Sequence, residues 1–412
     1  MKINKLLIIG LTWPEPNSTG AGVRMMQLID VFIDANYDVT FASAATQTQF
    51  SADLKEIGIK IQSIVLNDTS FDTFIHTLSP DIVLFDRFLT EEQFGWRVTE
   101  TCPNAIRVLD TEDLHSLRHV REHCFKKDLP FCTKTWLQDD KTKREIASIY
   151  RSDLSLIISS YEMQLLMELV RIDKRFLLHL PFMVNEIDDL TTWPKFEQRK
   201  NFVFIGGGKH KPNLDAINYL KSDIWPKIYE KLPTTKMNIY GAYLPQQILE
   251  MNNPKQGFLV KGRAEEVKTV TENARICIAP IRFGAGIKGK LLHAMQFGTP
   301  SITTSIGAEG MYDNLPWNGA IEDETEKIVR AAVSLYTSKE AWISAQNNGK
   351  ILINKYYAKS KLTERLLKSI ESIFTHKEKH RSKNFIGNLL QHHTLLATKY
   401  MGKWIEEKNK TN

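Results

Sequence analysis

No stretch of this sequence approaches the roughly 18 consecutive apolar residues that a membrane-spanning helix needs. The opening, MKINKLLIIGLTW, holds only a short apolar run, too brief for a signal peptide. A soluble or peripheral protein is expected, placed in the cytoplasm or at the inner face of its membrane. Cysteine is scarce: Cys102, Cys124, Cys132 and Cys277 are four of 412 residues and form no C-x-x-C pair. Reduced thiols in a cytosolic protein are the simplest account. Internal repeats and low-complexity segments are absent. Excess positive charge is confined to one region. The net charge is +6, and residues 376–412 hold eight Lys/Arg (Lys377, Lys379, Arg381, Lys383, Lys399, Lys403, Lys408, Lys410) against Glu378, Glu406 and Glu407. The remaining body is close to neutral, which argues against a general nucleic-acid binder.

Apolar residues are plentiful at 42%, ample for the cores of the roughly two to three domains this length allows. In the first half, strand patterns (Lys5–Gly10, Val39–Ala42, Ile59–Val65, Ile82–Phe85, Ile106–Leu109, Leu154–Ser159, Phe176–Leu180) alternate with helical ones such as Val23–Ala35. Repeated βα units of this length predict a parallel sheet wound on both faces. Residues 185–200 are polar, weakly periodic and broken by Pro194, as a linker would be. A second alternation begins at Phe202–Ile205 and continues through Met237–Tyr240 and Phe258–Val260. The predicted organisation is a first Rossmann-like domain over 1–184, a linker over 185–200 and a second such domain over 201–375. A basic helical tail follows over 376–412.

The most informative stretch is Arg275–Met311, RICIAPIRFGAGIKGKLLHAMQFGTPSITTSIGAEGM. An apolar strand leads to a turn in which Gly284, Gly286 and Gly289 bracket Lys288. A helical pattern over Lys290–Gln296 follows, stopped by Gly298-Thr299-Pro300, and Ser301–Ser305 reads as the next strand. Such a turn leaves backbone N–H groups bare at the positive end of a helix, with Lys288 and Lys290 beside them, which suits phosphate. Gly284–Lys290 matches the start of a P-loop, but Leu291 stands where Ser or Thr would hold Mg²⁺. An NTPase is therefore disfavoured.

This stretch resembles the donor-binding region of the group 1 (family 4) glycosyltransferases. The likeness rests on Pro280, Gly284–Gly286, Ala294-Met295, Gly298, Pro300 and Gly307–Gly310. The resemblance implies two Rossmann-like domains facing a cleft, the glycosyltransferase-B fold, with the sugar nucleotide held by the second. It brings Arg282, Gly284, Ala285, Gly286, Ile287, His293 and Glu309 to the donor. Ala285 and His293 occupy the two places where the family usually carries glutamate. His293 is read either as a hydroxyl ligand or as a core residue. Glu309 is expected to hold ribose or sugar hydroxyls, and Arg263, after Gly262, to lie in the base-side loop.

Three further turns carry candidates. Trp13–Arg24 (WPEPNSTGAGVR) puts Gly20 and Gly22 in a flexible turn that departs from G-x-G-x-x-G, and Arg24 either meets an anion or is solvated. Gly206–Asn213 (GGGKHKPN) follows a strand directly. Gly206 and Gly207 let backbone amides approach a ligand, Lys209, His210 and Lys211 add positive charge, and Pro212 suits a helix start. Leu109–Arg118 gathers Asp110, Glu112, Asp113, His115 and Arg118, with Asp86-Arg87 on the preceding strand end. The family's strand-end histidine that faces the sugar corresponds to either Asp110 or His115. A helix cap by Thr111 or Asp113 explains one acid but not all five.

The expected activity is sugar transfer from a nucleotide-sugar, UDP- or GDP-linked, to a glycan or lipid-linked acceptor in surface polysaccharide or glycoconjugate synthesis. Lys288, Lys290, Asp110 and His115 are the catalytic candidates. The resemblance implies retention of configuration. No D-x-D occurs, which agrees with a reaction needing neither metal nor other cofactor. A nucleotide-sugar epimerase on the same fold and a non-catalytic sugar-nucleotide-binding protein are the alternatives. Phe385, Leu389, Leu390, Leu395, Leu396 and Trp404 among the tail's basic residues form either a face packed on the body or a peripheral membrane contact.

Overall fold

The structure, a computed structural model, describes residues 4–188 and 192–410, without the side chains of 393–396 and 410. The first lobe contains β1 (Lys5–Gly10), β2 (Asp38–Ser43), β3 (Lys60–Ser63), β4 (Ile82–Asp86), β5 (Ile106–Asp110), β6 (Leu154–Ile157) and β7 (Leu177–His179). They form one sheet in the order β3-β2-β1-β4-β5-β6-β7. The second lobe contains β8 (Lys200–Ile205), β9 (Met237–Tyr240), β10 (Phe258–Gly262), β11 (Ala274–Ala279), β12 (Ser301–Thr303) and β13 (Gly319–Ile321), ordered β10-β9-β8-β11-β12-β13. Every neighbouring pair is parallel.

The apolar runs explain the layering. Successive strand side chains point to opposite faces, and helices cover both faces, so central strands such as β1, β4 and β5 are buried along nearly their whole length. Leu6 and Ile8 of β1 join Leu28, Ile29 and Phe32 of the helix Gly20–Asp34 on one face. Leu7 and Ile9 meet Phe94 and Val98 of the helix Arg87–Thr101 on the other. In each sheet the strand order reverses beside the first strand, between β1 and β4 and between β8 and β11. Ligands of such sheets bind at the carboxyl ends of strands at this reversal.

The chain crosses between lobes twice, side by side. Val184 N–H donates to Tyr357 O (2.9 Å), and Lys359 N–H donates to Val184 O (2.8 Å). Beyond the second crossing, the helix Lys359–Thr375 packs Leu362, Leu366, Ile370 and Ile373 into the core of the first lobe. The boundary drawn at 375 from the sequence is thus not where packing changes partner; that happens at Ala358. The strand β13, only three half-buried residues, was not anticipated, being too short to show a period. Gly20 and Gly22 also differ from expectation. They begin the helix Gly20–Asp34, capped by the Thr19 hydroxyl, rather than a flexible turn.

Candidate active site between the lobes

A cavity of about 460 Å³ lies between the facing ends of the two sheets. Gly20, Arg87, Glu112, Asp113, His115 and Arg118 line it from the first lobe. Gly206, Gly207, Lys209, His210, Tyr243 and Arg263 line it from the second, with the whole run Gly284–Lys290 and His293.

The floor is the glycine turn after β11. Gly284 and Gly286 have φ of 154° and 65°, values that L side chains rarely adopt. A Cβ on Gly286 would also lie 2.7 Å from that of Asp113 across the cleft. The turn delivers the chain to the helix Gly289–Gln296, whose first amides no side chain caps. Lys288 Nζ donates to Gly286 O (2.9 Å), and Lys290 Nζ to Asn213 Oδ1 (2.7 Å). Asn213 Nδ2 in turn donates to Gly207 O (3.0 Å). The two glycine loops predicted separately therefore meet through Lys290 and Asn213. Burial pulls both lysines down to about 8, against the usual ammonium range. Two partly desolvated ammonium groups beside bare helix amides make a site for an anion with at least two negative charges.

The opposite wall comes from the ends of β4 and β5. Arg87 and Glu112 sit at positive φ, 72° and 63°, which few residues other than glycine adopt. The Glu112 carboxyl lines the cavity, yet its Oε1 is buried without a hydrogen-bond partner. Burial, with Asp110 behind it, pushes Glu112 up to about 8. Asp113 behaves oppositely. Burial acts upward on it, but Arg118 (Nε–Oδ2 2.7 Å) and His115 (Nε2–Oδ1 3.3 Å) hold it well below the usual carboxylate range. Burial lowers His115 to about 4. His115 begins the helix His115–Lys126, but neither Thr111 nor Asp113 caps it. Glu145 does so from the helix Asp140–Arg151, accepting from the amides of His115 (2.9 Å) and Ser116 (3.0 Å).

Several predicted site residues lie elsewhere. Asp110 is fully buried, paired with Arg24 (Nη2–Oδ1 2.7 Å, Nε–Oδ1 2.9 Å), so neither side chain meets the cavity. Gly22 sits against the Glu15 backbone, where a Cβ would come within 2.4 Å. Arg282 pairs with Asp215 (Nη2–Oδ1 2.6 Å) and stacks on Phe125 and Tyr219 outside the lining. Lys211 pairs with Glu122 of the first lobe (2.9 Å) at the rim. Glu309, expected at the donor hydroxyls, instead makes a double ion pair with Arg121 of the first lobe (2.7 and 2.8 Å), and Arg121 also donates to Gly284 O (2.9 Å). Lys209 reaches the cavity with its ammonium 3.5 Å from the Tyr243 ring centre. His293 separates the main cavity from a smaller one of about 300 Å³ beside the chain crossings.

Sequence reasoning missed Arg121, Glu162 and the Glu15–Tyr243 pair. Glu162 Oε1 accepts from Gly286 N–H (2.9 Å) and Leu114 N–H (3.0 Å), tying the glycine turn to the first lobe. Tyr243 O–H donates to the Glu15 carboxylate (2.9 Å). Arg121–Glu309, Glu162–Gly286 and Glu15–Tyr243 each join positions more than 100 residues apart, and no local pattern announces them. Among the described residues, no group of three His, Cys, Asp or Glu side chains is placed to hold a metal ion.

Comparison with known proteins agrees with this geometry. Residues 199–338 match the family model described as "Glycosyl transferases group 1". Sucrose-phosphate synthase from Thermosynechococcus elongatus superposes with a TM-score of 0.67 at 12% identity, over 90% of this chain and 99% of that one. Anabaena HepE, crystallised with UDP-glucose, gives 0.65 at 11% identity, over 89% and 99%. The lipopolysaccharide outer core galactosyltransferase WaaB gives 0.58 at 15%, over 89% and 99%. No curated protein sequence matches. The fold is the two-lobed glycosyltransferase-B architecture of these structures. The family match lies within the second lobe.

Proposed function

We propose that the protein transfers a sugar from a nucleotide-sugar, UDP-linked by preference, to a glycan or lipid-linked acceptor in surface polysaccharide or glycoconjugate synthesis. The reaction proceeds with retention, needs no metal or other cofactor, and takes place in the cytoplasm. The observation that carries this reading is the pair Lys288 and Lys290 beside the uncapped start of the helix Gly289–Gln296, at the strand-order reversal of the second sheet. The sugar leaves through an oxocarbenium-like transition state, and negative charge grows on the departing diphosphate. Fixed cations and amides aimed at that charge lower the barrier without reorganising. The first lobe supplies the acceptor side.

Retention is supported by the acids facing the cavity. An inverting displacement needs a carboxylate base on the far side of the sugar. Glu112 is kept protonated near neutral pH, and Asp113 is engaged by Arg118 and His115, so neither is poised for that task. UDP as carrier is supported by HepE, whose structure contains UDP-glucose.

The test combines binding and turnover. Thermal shift with UDP, GDP, ADP and TDP identifies the base. Turnover is then followed with the matching sugar nucleotide, with and without acceptor glycans. Lys288→Ala and Lys290→Ala each lower turnover at least tenfold, about 1.4 kcal/mol. Wild-type rates in both variants would remove the diphosphate from this turn, and conversion of donor without acceptor would identify an epimerase instead.

A further inference from the structure

The tail helix Phe385–Lys410 has two unlike faces. One is anchored to the first lobe. Asn384, just before the helix, donates to Tyr150 O (2.7 Å), and Gln391 donates to Arg151 O (2.9 Å). Gly387 lies so close to Tyr150 O that a Cβ would come within 2.1 Å, and buried Glu406 pairs with Arg97. The preceding short helix, Lys377–Ser382, is held by Arg381, which pairs with Asp153 (2.7 Å) and donates to Pro103 O and Ala105 O. The helix is therefore a fixed part of the lobe.

The other face is apolar and uncovered. Phe385, Leu389, Tyr400 and Trp404 are 74%, 46%, 62% and 60% exposed. Their spacings of four, eleven and four residues fall close to whole helical turns, so they form one stripe along a helix roughly 39 Å long. Ile386 stands 18 residues before Trp404, on the same edge, and is 48% exposed. Leu395 and Leu396, also expected here, lie outside the described side chains. Lys403 is exposed on the stripe, Lys383 is exposed two residues before the helix begins, and Lys408 lies beside Trp404 (5.2 Å).

We propose that this stripe docks the protein on an anionic membrane surface, with the helix lying in the interface plane. An outward row of Phe, Leu, Tyr and Trp with exposed Lys403 and Lys408 beside it fits apolar burial combined with attraction to acidic headgroups. Tyr and Trp suit the headgroup boundary, being apolar with a polar tip. A second copy of the chain is a poorer occupant, because the same lysines would bring two basic surfaces together. No helix among the described residues is long and apolar enough to cross a membrane, so the contact is peripheral. The stripe lies on the first lobe.

The test is co-sedimentation with vesicles of phosphatidylcholine alone or mixed with phosphatidylglycerol. The full chain pellets with the mixed vesicles only, and added salt releases it. Phe385→Ser/Tyr400→Ser/Trp404→Ser and Lys383→Glu/Lys403→Glu each reduce binding about tenfold or more, with UDP affinity unchanged. These side chains are exposed, so the variants fold, and UDP affinity verifies this separately from the catalytic reading. Wild-type protein remaining in the supernatant, or serine variants pelleting as well as wild type, would overturn the proposal. So would a wild-type dimer made monomeric by the serine substitutions, which would assign the stripe to self-association.

Discussion

At the residue scale, the account turns on charges held at unusual protonation balances. Lys288 and Lys290 lie near 8 in the free protein, and only their charged forms attract a diphosphate. Raising pH through 8 removes those charges, so donor affinity falls above that point and is flat below it. Calorimetric titration of UDP between pH 6.5 and 9.5 measures this, and an affinity independent of pH would show that the lysines lie outside the diphosphate site. Glu112 has the opposite consequence. Its folded value, about 8, is above the ordinary 4.5, so the folded state binds the extra proton. Stability from this group is complete below the unfolded value and is lost as pH rises towards 8. Glu112→Gln, which imitates the neutral form, should therefore raise the melting temperature by about 2 °C or more at pH 8 and little at pH 5. Equal melting curves at both values would show an ordinary, solvated carboxylate.

The residues legible beforehand were those whose chemistry is local. Lys288 and Lys290, within seven positions of sequence in one glycine turn, do line the cavity. Asp110 looked like part of a cleft cluster because its neutralising partner, Arg24, stands 86 positions away. The pairing of Glu309 was hidden for the same reason, its partner Arg121 lying in the other lobe. Charge pairs that form only on folding leave no spacing to read.

At the scale of elements, strands were the easiest feature, since a strand buried on both faces is a plain apolar run. Helix starts were harder. Thr111 and Asp113 both suit a cap by type, yet Glu145 from a distant helix takes that role before His115. The glycine turn is held from the first lobe as well, by Glu162 on Gly286 N–H and by Arg121 on Gly284 O. Arg121 is 5% exposed and Glu309 15%, so removing one partner strands a largely buried charge. Arg121→Ala should lower stability by about 3 kcal/mol, read from urea unfolding. An unchanged midpoint would show that this contact does not hold the lobes together.

At the scale of the molecule, both sheets aim their strand-order reversals at one cleft, and among the described residues the chain passes between lobes at Val184 and Ala358. The alternating pattern in the sequence foretold the two lobes. It did not foretell that the helix Lys359–Thr375 returns to the first, because an amphipathic helix does not say which core it will cover. That return sets two hydrogen-bonded crossings side by side. The account's central claim is that a diphosphate lies in the turn Gly284–Lys290 between these lobes. A crystal structure of the UDP complex measures this directly. The account predicts diphosphate oxygens within hydrogen-bonding distance of the Gly289 and Lys290 amides and of the Lys288 ammonium. Diphosphate bound elsewhere, with those groups unchanged from their present partners, would contradict it.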